Sequence, residues 1–119
     1  MGYIRHNAIV LTGWNEESIS AAAEKARGLG LQVLGPSDAV INEYRSILVC
    51  PDGSKEGWAE SDIACGQRLE FKLWLCTTMC YEAGSSKLEW VEVSYGSDDE
   101  TAEIETHAWC KQPLPQVQD

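Results

Sequence analysis

The stretch Tyr44-Arg45-Ser46-Ile47-Leu48-Val49-Cys50-Pro51-Asp52-Gly53-Ser54-Lys55-Glu56-Gly57-Trp58-Ala59-Glu60-Ser61-Asp62 runs from an apolar segment through turn residues to a helix start. Residues 44–50 have the length and β-branched character of a strand. Pro51-Asp52-Gly53 is turn chemistry, because proline presets φ at the second turn position and glycine supplies a positive φ. Ser61 or Asp62 offers a side-chain cap for a helix running to about Tyr81. A strand that feeds a helix in this way makes the chain a mixed α and β protein, and the flanking segments decide how the elements combine.

Toward the N-terminus, residues 4–11 contain Ala8-Ile9-Val10-Leu11, a buried-strand pattern closed by Thr12-Gly13. Asn15 then caps a helix with Glu16 and Glu17 in its first turn. Ile19, Ala22, Ala23, Ala26 and Leu29 recur at helical spacing until Gly28 and Gly30 stop it. Residues 31–34 form a short strand ended by Gly35-Pro36. Toward the C-terminus, Cys65, Leu69, Leu73, Cys76 and Cys80 form one helical stripe, broadened by Phe71, Leu75 and Met79, and this face is expected to pack on a sheet. Residues 88–95 and 101–109 alternate on either side of the turn-rich Gly96-Ser97-Asp98-Asp99-Glu100, which predicts an antiparallel hairpin.

The order strand, helix, strand, strand, helix, strand, strand (βαββαββ) predicts an α+β two-layer sandwich. Its sheet is mainly antiparallel with two helices on one face, and a ferredoxin-like arrangement is the leading topology. Residues 1–110 read as a single domain and 111–119, with two prolines, as a flexible tail. The second sheet face needs cover. With Trp90 and Trp109 on the last two strands, a second subunit on that face or along the hairpin edge is expected, and so a homo-oligomer.

The chain has 119 residues, enough for one core, with 44% hydrophobic and 24% charged residues in the range of folded domains. A net charge of -10 opposes duplex nucleic acid, whose affinity rests on cations displacing counterions from phosphates. No secretory h-region or membrane-length apolar run is present, so no membrane partner is expected and the cytoplasm is the expected compartment. Five cysteines, an odd number, fit free thiols in reducing surroundings.

Several chemistries lose support. His6 and His107, on the first and last expected strands, are similar to the pair used by two-histidine phosphoesterases, but Ala8 and Trp109 stand where that motif carries hydroxyls. Cys76 and Cys80 share a helix face without the further ligands of a tetrahedral metal set. Gly28-Leu29-Gly30 follows a helix and is no phosphate loop. No catalytic residue, metal or cofactor is expected. The acidic run Asp98-Asp99-Glu100, with Glu103 and Glu105 at strand spacing, either mimics a phosphate backbone or keeps an edge strand soluble.

The candidate ligand surface is the central block. Arg45 suits bidentate pairing with a phosphate or carboxylate, Lys55 adds a mobile charge, and Trp58 offers a flat face for a ring. Tyr44, Ser54 and Arg68 complete the expected set. Glu56, Glu60 and Asp62 compete for the same helix start, where they occupy the positive helix end. The alternative is that Trp58 plugs the core while Arg45 and Lys55 pair with those carboxylates.

The block 44–46, Pro51-Asp52-Gly53-Ser54-Lys55-Glu56-Gly57-Trp58 and Glu60-Ser61-Asp62, together with Glu89-Trp90-Val91-Glu92-Val93-Ser94-Tyr95-Gly96, resembles small uncharacterised proteins encoded by bacteriophages and prophages. The resemblance spans most of the chain before the tail and carries no catalytic residues. It implies a phage-type binding protein acting against host defence in the bacterial cytoplasm. One route is to sequester a small nucleotide immune signal in a pocket at a subunit interface. The alternative is an acidic inhibitor, anti-CRISPR-like, that occludes a host defence protein by mimicking nucleic acid, and a small hydrolase comes third.

Overall fold

In the computed structural model, β1 (His6–Gly13), α1 (Glu16–Gly28), β2 (Val33–Leu34), a 3-10 turn (Ile41–Glu43), β3 (Arg45–Val49), α2 (Ala59–Thr78), β4 (Glu89–Tyr95) and β5 (Glu103–His107) follow one another. The structure describes residues 6–51, 53, 58–96 and 102–107, with the backbone alone at Thr106 and His107. The protein is α+β. Its sheet has the order β2-β3-β1-β4-β5, and every neighbouring pair is antiparallel. Since β1 and β2 both oppose β3, they run the same way, and α1 crosses over β3 to join them. By the same logic α2 crosses β1 to join β3 to β4.

The core follows from the alternation of β1. Ile9 stands opposite Val49 and Glu92, and Leu11 opposite Ile47 and Trp90. These residues turn to one side of the sheet, where Ile19, Ala22, Ala23 and Ala26 of α1 and Phe71 and Leu75 of α2 close over them. Alanines let α1 lie close to the strands, while α2 reaches the sheet through larger rings such as Phe71, stacked on Trp74 at 6.1 Å. Burying each large aliphatic or aromatic side chain is worth roughly 1.5–3 kcal/mol.

The first helix forms as its sequence demands. The Asn15 side-chain oxygen accepts from the backbone N–H groups of Glu17 (2.9 Å) and Ser18 (3.3 Å), satisfying donors that a helix start otherwise leaves orphaned. At the other end Gly30 takes a left-handed φ of 96°, and Arg27 donates to the carbonyls of Val33 and Gly35.

The second helix departs from expectation. It starts at Ala59, with Trp58 at the N-cap position and no side-chain cap. The Trp58 carbonyl instead accepts from Ser61 and Asp62. It ends at Thr78, and Cys80 forms a bridge with Ser86 rather than a further turn. Its buried residues are Arg68, Phe71 and Leu75, whereas Cys65 is exposed and Leu69 and Leu73 are only half-buried. The inward face is therefore turned by roughly a third of a turn from the cysteine stripe. The reason is that this face includes a buried arginine beside Phe71 and Leu75, and Arg68 reads as a surface residue until its partner on β4 is known.

Two further expectations change. Trp90 is 4% exposed and faces the helices, so it does not belong to the open side of the sheet, and Trp109 lies outside the described residues. The hairpin does form as β4 and β5, but its register shifts between Glu92 and Val93. Glu105 falls in that irregularity, which breaks the even spacing expected to align it with Glu103. Residues 97–100 and the tail 111–119 also lie outside the described residues. Among those described, no helix is long and apolar enough to cross a membrane.

The orientation of α2 is testable by denaturant unfolding. Phe71→Ala should cost about 3–5 kcal/mol, whereas Cys65→Ala should stay within about 0.5 kcal/mol.

Candidate functional site

Arg45 is the first residue of β3 and pairs with Gly13, the last residue of β1. The next residues along the two chains, Tyr44 and Trp14, therefore leave the sheet at the same point. Trp14 is 55% exposed, and Tyr44 and Arg45 are half-buried. One Arg45 nitrogen donates to the Ser37 carbonyl at 3.4 Å. Ser37 is held in turn, because its N–H donates to the Ser46 carbonyl and its hydroxyl accepts from the Ser46 N–H. The Ser46 and Thr12 hydroxyls share a hydrogen bond of 3.0 Å beside them.

The segment leading into this corner is closed on itself. Val40 donates to the Tyr44 carbonyl and Glu43 to that of Val40, while Asn42 and Glu43 both take left-handed φ values of 57° and 62°. Non-glycine residues pay for that conformation, and two in succession hold a sharp reversal. Val40 and Ile41 are left exposed at its tip.

The other expected site residues lie elsewhere. Trp58 follows the far end of β3. At about 3.3 Å per residue, the strand alone sets Arg45 about 13 Å from Val49, and Trp58 lies further along the chain. Trp58 is exposed rather than a core plug. Ser54 and Lys55 lie outside the described residues. Arg68 is buried, at 4% exposure, with its guanidinium 3.6 Å from the Glu92 carboxylate. The Lys72 ammonium reaches the other oxygen of that carboxylate at 2.5 Å. Glu92 pairs with Ile9, four residues along β1 from the Gly13 opposite Arg45, so Arg68 is committed to a structural ion pair about 13 Å away along the sheet. The density of the block along the chain does not become density in space, because a strand is the most extended way to arrange residues.

Trp14 is the member that sequence reasoning missed. Its signal was an aromatic residue directly after a strand-closing glycine and directly before a helix cap, a position that rarely contributes to a core.

The histidines are not brought together. His6 stands opposite Tyr95 and His107 opposite Val91, on the two strands flanking β4. Their backbones are separated by four residues along β4, about 13 Å, and two strand spacings, about 10 Å. Among the described residues no group of three or more His, Cys, Asp or Glu is placed to hold a metal ion. Burial pushes the Cys76 thiol up, neighbouring Cys80 adds to this, and the Lys72 ammonium opposes it.

No protein-family model matches the chain, and no curated protein or solved structure is significantly similar to it.

Two outcomes separate these roles. Arg68→Ala should destabilise the fold by about 3–5 kcal/mol by leaving Glu92 buried against one cation, whereas Arg45→Ala should change the denaturation midpoint little. Alkylation of Cys76, followed by mass spectrometry, should continue to accelerate above about pH 8.5, where a free small thiol is already half ionised.

Proposed function

We propose that this is a non-catalytic binding protein of the phage anti-defence type that sequesters a small nucleotide signal in the cytoplasm of a bacterial host. The observation that carries this reading is the pairing of Gly13 with Arg45, which sets Trp14, Tyr44 and a guanidinium at one strand end. A nucleotide needs a cation for its phosphate and a flat face for its base, and this corner supplies both. One Arg45 nitrogen donates to the Ser37 carbonyl, and guanidinium offers five N–H groups. Glu16 and Glu17 occupy the first turn of α1 nearby. They take the favourable positions at the helix N-terminus, so side chains rather than the helix end hold the phosphate. The interleaved crossovers support reading the fold as ferredoxin-like with β5 added beyond β4, an architecture that leaves strand ends open for binding.

A second reading, in which the chain occludes a host defence protein, is favoured by the exposed Glu103 and Glu105 on β5. The net charge of -10 suits a basic partner.

A thermal-shift panel of cyclic and ADP-ribose-derived nucleotides, with mass spectrometry of co-purifying small molecules, tests the first reading. A bound nucleotide at 100 times its Kd should stabilise the fold by about 2.7 kcal/mol. Arg45→Ala and Trp14→Ala should abolish the shift, and Trp58→Ala should preserve it. If no nucleotide shifts the midpoint and none co-purifies, sequestration is wrong.

A further inference from the structure

The side of the sheet away from the helices is ordered into rows. Leu34 pairs with Leu48, Leu48 with Val10, and Val10 with Val91, so four aliphatic side chains cross β2, β3, β1 and β4 in line. A second row runs from Ala8 through Val93 to Ile104 on β5. Thr12, Ser46 and Glu89 border the rows at one end, and His6 and Tyr95, with ring centres 5.3 Å apart, border them at the other. Val10 is 39% exposed despite sitting on the central strand. No described helix lies over this face.

We propose that a second copy of this chain packs its own open face onto this one, forming a two-fold dimer of sheets. Charge selects that occupant. The two rows contain no ionised side chain, in a chain whose net charge is -10. Two such acidic copies repel wherever carboxylates meet, and repulsion and desolvation cost are least on this neutral patch. A basic partner would find nothing here to pair with. A two-fold contact needs a patch complementary to itself, and straight rows of aliphatic side chains meet that condition.

The size is sufficient for a dissociable dimer. The five strands have 8, 2, 5, 7 and 5 residues, and at about 3.3 Å along and about 4.8 Å across per residue they give a footprint of about 430 Å² per copy. The pair therefore buries about 850 Å², the range of weak, transient contacts. The inference stands apart from the nucleotide reading, because Val10 and Ile104 are not part of the Trp14–Tyr44–Arg45 corner.

Sedimentation velocity of the full chain, across about 1 µM to 1 mM, tests it. The expected result is a concentration-dependent rise from the 13.2 kDa chain mass to twice that value. Val10→Glu puts a carboxylate in the middle of the first row, and Ile104→Lys puts a charge at the end of the second. Both positions are exposed in the single chain, so circular dichroism should show both variants folded. Val10→Glu should weaken association at least 100-fold and Ile104→Lys less. A wild-type chain that stays monomeric across the range overturns the proposal, whether residues 108–119 or another protein then cover the face. So does a dimer that both folded variants form as tightly as wild type.

Discussion

The described sheet and the core beneath its helices depend on the register of β1. It is the central strand, bonded on one side to β3 and on the other to β4, and its alternate residues face two different environments. Ile9 and Leu11 are fully buried beneath the helices, while Val10 between them stands on the open side. A slip of one residue would exchange these sets and expose the pair on which both helices rest. The same register fixes the corner at Gly13 and Arg45 and sets Glu92 beside Ile9. Core, candidate site and buried ion pair are thus three consequences of one alignment.

Glu92 shows how that alignment reaches α2. The strand presents a carboxylate toward the helix layer, where an isolated charge is expensive to bury. Arg68 and Lys72, four residues apart on one helical face, supply compensation. Their pairing sets the rotation of α2 about its axis, since bringing both cations to one point also brings Phe71 and Leu75 inward. Such a pair adds less to net stability than its Coulomb attraction suggests. Its effect is to make other rotations of the helix costly.

How much of this was legible depended on the range of the interaction. The cap at Asn15, the apolar run of β1, the β4–β5 hairpin and the face of α1 were legible because each is specified by neighbours in sequence. The face of α2 was not, because its apolar residues cover too broad an arc for periodicity to choose among. The deciding residue, Arg68, takes its meaning from Glu92, more than twenty positions away. The candidate site was half legible: Tyr44 and Arg45 were identified, but Trp58 was grouped with them on closeness along the chain. Trp14, about thirty positions distant, joins them only through strand pairing.

By itself the sequence determined the class of fold, since spacing of apolar residues at two and 3.6 states which segments are strands and which are helices. It also determined the acidic character of the chain, because net charge is independent of conformation. Tertiary structure alone decided which side chains share a place. Strand order and register carry Trp14 to Arg45, separate Trp58 from both, turn Trp90 inward and line up Leu34, Leu48, Val10 and Val91 on an open face. The physical reason is that hydrogen bonding between strands is blind to side-chain identity and sequence distance, so proximity emerges only when the whole sheet has assembled beneath its helices.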